Sequence, residues 1–334
     1  MKDAWYIVAE SREVGSRPVG VQLLGEPLVL FRPRAGGIAA LRDYCPHRGM
    51  ALSHGVLEDG ALTCVYHGWR FDGSGTCVHI PANREDDPIP QTARVAAYRC
   101  REQQGYAWVW PGEGEPAGGP PLLEHFGERG WNWTRLGATV HGPVDQVVEN
   151  FIDNPHTGYV HGGLFRNPAS HLAHHTVRLV DDGVVIDIEE EGSTDSLLGR
   201  VLLRRGQKIA HQDRFVWPST VRVAYTFGER WSVIGTQFCT PLDEGTTRVF
   251  VHVAWSLGWL TRWAGWGVRM AGRRILAQDL AVLDVQGEQL RRLGREFCSI
   301  PADTAAHWIA SYRRHRAAGD PLPPAREKRV TFRV

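Results

Sequence analysis

The chain has 334 residues, more than one compact core usually holds, so two domains are expected. With 43% hydrophobic and 22% charged residues it is neither disordered nor fibrous. Its 38 Lys plus Arg against 37 Asp plus Glu give no electrostatic reason to expect nucleic acid or a membrane surface as partner. Six cysteines are too sparse for a secreted disulfide scaffold, and Met1-Lys2-Asp3-Ala4-Trp5 lacks the start of a signal peptide. No stretch of about 18 residues is apolar and uncharged; the closest, residues 249–261, is closed by Arg262. A soluble, cytoplasmic protein is expected.

In chain order, the first third reads as short strands punctuated by turns. Residues 21–24 and 28–31 flank Gly25-Glu26-Pro27, and 38–42 follow Gly36-Gly37. Residues 63–66 come next, then 69–71 leading into Asp72-Gly73-Ser74-Gly75, then 95–99 and 107–110. Residues 111–121 hold eight Gly or Pro in eleven positions, which no strand or helix continues through. Beyond them, residues 143–162 look helical but interrupted. Val221, Val223, Tyr225 and Phe227 then alternate with Arg222, Ala224 and Thr226, as a half-buried strand does. Val249, Val251, Val253 and Trp255 repeat this after the Asp243-Glu244-Gly245 turn. Helices are expected over 263–293 and 303–316, and there is no internal repeat. The class is α+β: an all-β domain over 1–112, a linker over 113–121 and an α+β domain over 122–334.

The strongest local signal is Cys45-Pro46-His47 followed, after 16 residues, by Cys64-Val65-Tyr66-His67. Each pair places one thiolate and one imidazole in a loop after a short strand. Two such loops facing each other supply the donors of a tetrahedral zinc site or of a two-iron, two-sulfide cluster. Zinc sites more often use Cys-x2-Cys pairs. Gly49 and Gly68 would let the backbone approach inorganic sulfides closely. The longer string, Cys45-Pro46-His47-Arg48-Gly49 through Leu52-Ser53-x-Gly55 and Cys64-x2-His67-Gly68-Trp69-x-Phe71, resembles the Rieske signature of aromatic-ring-hydroxylating oxygenases. There, two Cys hold one iron and two His the other. Cys77, Cys100, Cys239 and Cys298 have no paired motif and are expected as buried small hydrophobes.

A Rieske domain alone would end near the linker, so the remaining residues must do something else. They contain Asn150-x2-Asp153-x2-His156-x4-His161. On an ideal helix residues five apart differ by about 140° in azimuth, so His156 and His161 could share an ion only if Pro155 and Gly158 distort the chain. The string is similar to the mononuclear iron motif of the same oxygenases. The resemblance implies that His156 and His161 belong to a 2-His-1-carboxylate triad that leaves positions open for O2. It further implies that Asp153 bridges a Rieske His of one subunit to an iron His of its neighbour, and that Asn150 lies beside the iron. His171, His174 and His175 begin what reads as a strand, where residues three or four apart do not face one another. A structural or pocket-lining role is expected for them.

The long C-terminal helix offers Asp279 and Asp284 as the third ligand. Val268, Ile275, Leu276, Val282, Leu283 and Leu290 all fall within about 60° of Asp279, whereas Asp284 lies about 140° away beside Arg273, Glu288 and Arg291. A carboxylate centred on an apolar stripe needs a cation, which selects Asp279. Gln278-Asp279-x2-Val282-Leu283 also resembles the family's C-terminal ligand segment, with Gln278 where Glu is usual.

The resemblance covers nearly the whole chain and is closest to the shorter vanillate and dicamba demethylase type. It implies a helix-grip-like catalytic domain with a curved antiparallel sheet, a [2Fe-2S] Rieske cluster, a mononuclear Fe(II) and a homotrimer. The implied function is that of a terminal oxygenase which hydroxylates or oxidatively demethylates a small aromatic or alicyclic substrate, with mono-oxygenation favoured over dioxygenation. Electrons would come from a separate NAD(P)H-dependent reductase or ferredoxin, since no Gly-x-Gly-x2-Gly fingerprint is present. The alternatives are a Rieske electron carrier without oxygenase activity and a zinc-stabilised binding module.

Overall fold

The computed structural model describes residues 1–162, 172–190, 209–228 and 231–333. They divide into two units, Lys2–Leu122 with Thr240–Asp243, and Leu123–Cys239 with Glu244–Val334 and Met1.

The first unit contains β1 (Tyr6–Glu10), β2 (Val19–Leu23), β3 (Glu26–Phe31), β4 (Ala39–Arg42), β5 (Val56–Glu58), β6 (Ala61–Thr63), β7 (Arg70–Phe71), β8 (Cys77–His79), β9 (Ala97–Gln103) and β10 (Tyr106–Trp110). They form a six-stranded sheet in the order β1-β10-β9-β4-β3-β2 and a four-stranded sheet in the order β5-β6-β7-β8. Leu24-Gly25, Asp59-Gly60 and Gln104-Gly105 join three hairpins with positive φ at both residues, the turn whose twist matches the strands. The turn expected at Gly25-Glu26-Pro27 is therefore one residue earlier. Pro27 cannot take a positive φ, and Glu26 and Pro27 already pair with Leu23 and Gln22. The strand expected over 63–66 also stops early, at Thr63, because Cys64 to Trp69 form a closed turn that leaves Val65 and Tyr66 exposed. Val29, Phe31, Leu41, Leu52, Leu62 and Phe71 form the core, which reaches Cys45 and Cys64.

The second unit is built on β11 (Asn132–Val140), β12 (Leu172–Val180), β13 (Gly183–Glu190), β14 (Ile209–Val216), β15 (Thr220–Phe227), β16 (Trp231–Pro241), β17 (Thr247–Ser256) and β18 (Arg326–Arg333). They make one sheet, ordered β11-β17-β16-β15-β14-β13-β12-β18, with antiparallel pairing along it. Among the described residues, the helices α1 (Val144–Ile152), α2 (His156–Val160), α3 (Gly265–Leu293) and α4 (Thr304–Ala318) accompany it. One set of alternating strand residues (Leu136, Val177, Ile186, Phe215, Val221, Val251) packs with Val147 and Val148 of α1, Leu276 and Leu283 of α3, and Ile309 and Tyr312 of α4. No helix among the described residues is long and apolar enough to cross a membrane.

Candidate metal centres

Among the described residues, each unit brings together one of the groups expected as metal ligands. In the first, Cys45 and Cys64 follow β4 and β6, are each 2% exposed and form no disulfide. Their loops repeat one hydrogen-bond pattern. Cys45 N–H donates to Met50 O (2.8 Å) and Gly49 N–H to Cys45 O (2.9 Å). Cys64 N–H donates to Trp69 O and Gly68 N–H to Cys64 O, both at 2.9 Å. The turns themselves require the glycines, whose φ values are +73° at Gly49 and +72° at Gly68. A Cβ on Gly68 would also stand 2.8 Å from Pro81 Cγ.

The His47 and His67 rings are 4.4 Å apart between centroids, and Trp69 stacks on His47 at 4.6 Å. Burial, and then Cys64 beside it, push the Cys45 thiol up to about 11 against the pull of the His47 and Arg48 amides. Such a thiol becomes a thiolate when a metal displaces its proton. His47 Nδ1 is buried with no hydrogen-bond partner among the described residues. Two buried thiols, two adjacent imidazoles and an orphaned ring nitrogen fit a bound cluster.

In the second unit the chain breaks its helix where the histidines occur. α1 ends at Ile152, and Asp153 turns extended while its N–H still donates to Glu149 O (2.8 Å). Asp153 Oδ2 then accepts the N–H of His156 at 3.2 Å, opening the single turn of α2. His161 lies just past α2, with φ of −108° and ψ of 29°. The two histidines therefore do not obey the azimuth of one ideal helix, and their rings stand 5.3 Å apart between centroids. His156 Nε2 is 3.5 Å and His161 Nε2 3.1 Å from Asp279 Oδ1. Among the described residues this is the one group of three such side chains with donor atoms within 4.8 Å of one another.

Asp279 is 3% exposed, between Leu276 and Leu283 on the buried stripe of α3. Val282, expected on the same stripe, is 45% exposed, so the buried face is narrower than its apolar composition suggests. Asp284 is instead half-buried and accepts the His141 N–H at 2.9 Å.

The charge pattern of the group is informative. His161 Nδ1 lies 3.1 Å from Gln278 Oε1, and His156 Nδ1 meets the carbonyl oxygen of Asp153. Both partners only accept, so each Nδ1 carries a proton and each Nε2 is the nitrogen left facing Asp279. Asp279 Oδ1 is buried, and no donor reaches it in hydrogen-bond geometry. With both rings neutral, three acceptors would face one another, an arrangement that only a cation or added protons relieve. Protons do so in the metal-free protein. Burial alone would lower the His156 pKa, but the Asp153 and Asp279 carboxylates outweigh it and raise it to about 9. Burial raises the Asp279 carboxyl, and the two imidazoles more than offset this and hold it below its usual range. The donor set fits a divalent metal.

One backbone junction ties α3 to α1 and to the segment that precedes it. Gly287 of α3 is buried against His141 and Gly142, and a Cβ there would lie 2.0 Å from His141 O. Arg291 Nη1 donates to that same oxygen at 3.0 Å. Gln146 of α1 donates through Nε2 to Leu283 O (3.1 Å) and to Gln286 Oε1 (2.7 Å).

The other expected residues are placed as follows. Asn150 lies on α1, and its Oδ1 is buried without a hydrogen-bond partner among the described residues. His174 and His175 point to opposite faces of β12: His174 meets Thr331 at 2.8 Å, and the buried His175 meets Asn154 at 2.9 Å. His171 lies outside the described residues. Cys77 and Cys239 are buried and Cys100 is partly so. Cys298 is exposed instead, because the segment after α3 has no core to enter. Sequence reasoning missed the buried pair of His211 and Asp213, with Nε2 and Oδ1 2.9 Å apart and Tyr225 stacked on the imidazole. The only signal was their i, i+2 spacing in a strand.

Comparison with known proteins agrees in both units. The Rieske [2Fe-2S] domain profile matches residues 4–99, and the vanillate O-demethylase oxygenase C-terminal domain profile matches residues 140–319. The oxygenase component of dicamba O-demethylase from Stenotrophomonas maltophilia is 34% identical over 209 residues, 61% of this chain and 60% of that protein. The oxygenase subunit of vanillate O-demethylase from Pseudomonas sp. (strain HR199 / DSM 7063) is 33% identical over 188 residues, 55% of this chain and 51% of its own. The matched stretches thus span between half and two thirds of these relatives. The crystal structure of dicamba monooxygenase bound to dicamba shares the fold, with a TM-score of 0.77 at 24% identity over 95% of this chain and 98% of the other.

Proposed function

Because the chain belongs to the oxygenase family that joins a Rieske [2Fe-2S] domain to a vanillate O-demethylase-type C-terminal domain, we propose that it is the terminal oxygenase of a multi-component system. It receives electrons from a separate NAD(P)H-dependent reductase or ferredoxin. It uses O2 to demethylate oxidatively, or to hydroxylate, a small aromatic or alicyclic substrate. Similarity to dicamba and vanillate O-demethylases favours an aryl methyl ether and a monooxygenase outcome. Cys45, His47, Cys64 and His67 would hold the cluster, and His156, His161 and Asp279 a mononuclear Fe(II).

The observation that carries this reading is the convergence of two imidazole Nε2 atoms on one buried carboxylate oxygen. Three protein donors leave further positions on a metal open, as an oxygen-using iron needs. When bound, the cluster supplies single electrons and the iron supplies the place where O2 is activated. The chain's own contribution is to fix both ring orientations through Nδ1 and to keep the donor set at one negative charge. Asp153 accepts the His156 N–H at the start of α2 while its side chain stays 36% exposed. That exposure supports its assignment as the bridge to a neighbouring subunit's Rieske His in a homotrimer, and Asn150 is assigned a place beside the iron.

Oxygen uptake and formaldehyde release, measured with a surrogate reductase across methoxy- and methylamino-aromatics and alicyclic compounds, test the proposal. Substrate-dependent uptake is expected from protein carrying about three irons per chain. Protein with full iron and a reducible cluster that consumes no O2 with any compound would instead be an electron carrier. Colourless, zinc-loaded protein would make it a binding module.

A further inference from the structure

We infer that Gln278 is a positioning residue for the mononuclear metal, acting through His161, and this rests on the metal site proposed above. α3 presents two consecutive side chains to the two nitrogens of one imidazole. Asp279 Oδ1 stands 3.1 Å from His161 Nε2, and Gln278 Oε1 stands 3.1 Å from His161 Nδ1. Neighbouring residues on a helix are separated by about 100°, so both reach one ring only if the ring lies edge-on across the buried stripe. The ring is 2% exposed, which excludes bulk water as the partner that fixes its tautomer.

An amide oxygen can accept from Nδ1 but cannot take its proton. Gln278 therefore keeps the His161 proton on Nδ1 and turns Nε2 toward Asp279, and adds no charge of its own. A Glu at this position would orient the ring in the same way and bring a second negative charge to a donor set that has one. The orienting function and the charge are thus separable at a single residue. A packing role would look different. It would be satisfied by any side chain of similar volume, Leu included, and would gain nothing from a carboxylate.

The two readings give opposite orders for two substitutions. Protein stripped of its mononuclear metal, with the Rieske absorbance intact, is dialysed to equilibrium against Co(II) as the probe. Gln278→Leu is expected to bind Co(II) about 10- to 100-fold more weakly than the parent, and Gln278→Glu at least as tightly as the parent. Leu binding like the parent, or Glu binding more weakly than Leu, would overturn the role of Gln278. An unchanged Rieske spectrum and circular dichroism exclude misfolding in either variant. Asp279→Asn in the same dialysis separates the two levels of the argument. If that variant keeps full Co(II) affinity, the metal site itself is wrong. If it loses Co(II) while Gln278→Leu does not, only the assignment of Gln278 fails.

Discussion

At the level of single residues, Asp279 is the side chain whose position is hardest to account for without a cation. Its substitution by Asn should empty the mononuclear site and leave the Rieske absorbance unchanged, as metal analysis beside a visible spectrum would show. Asp284→Asn should retain both metals and weaken only the contact with the His141 N–H, at a cost of about 1 kcal/mol. His67→Cys should lower the cluster's reduction potential, measurable by voltammetry, because a thiolate adds negative charge where imidazole is neutral. His252 titrates for another reason. It is 1% exposed beside Phe126 and Trp133, and burial, with Arg135 adding to it, lowers its pKa from 6.5 to about 4. Between those values the unfolded chain binds the extra proton. Stability is therefore full above about 6.5 and is lost as the pH falls toward 4, by up to about 3 kcal/mol. His252→Leu should flatten that part of a denaturation profile run against pH. Asp279 was legible in the sequence because helical periodicity placed a charge among apolar neighbours. The partner of Gln278 was not legible, since 117 residues separate it from His161 and no local pattern records that meeting.

Among the elements, the junction between β11 and α1 is where α3 is seated. His141 and Gly142 lie in the groove that Gly287 leaves open, where Arg291 donates to His141 O and Asp284 accepts the His141 N–H. Gly287→Ala would gain helix propensity, yet its methyl group would overlap His141 O and force α3 outward. A net loss of about 1–3 kcal/mol is expected in urea unfolding, with weaker metal retention because Asp279 travels with α3. The sequence anticipated α3 from its period and the break after α1 from Pro155. It did not reveal this junction, because the requirement for Gly287 arises from a backbone more than 140 positions away. Strand ends followed the same rule. The x-Gly turns decided where β2, β5 and β9 stop, whereas the apolar character of Val65 and Tyr66 suggested a strand in what is a turn.

For the molecule as a whole, the proposed assembly makes Asp153 the decisive position. Asp153→Asn should keep both metals and the trimer, with pre-reduced protein failing to oxidise its cluster in a single turnover with O2 and substrate. Normal cluster oxidation in such protein, or full activity in a monomer, would rule out the bridge. The Gly- and Pro-rich stretch suggests a chain that could be dissected there into independent modules. The grouping of Thr240–Asp243 with the N-terminal unit argues otherwise. Leu24 N–H donates to Pro241 O at 2.9 Å and Gly25 N–H to Leu242 O at 2.7 Å, while the Thr240 hydroxyl donates to Ile7 O at 2.6 Å. A fragment cut after residue 122 would expose three backbone groups that the intact chain satisfies with residues drawn from more than a hundred positions downstream. Gene fusions or domain exchanges made at the linker would thus leave the Rieske unit incomplete, and viable chimaeras would have to carry the 240–243 segment with it.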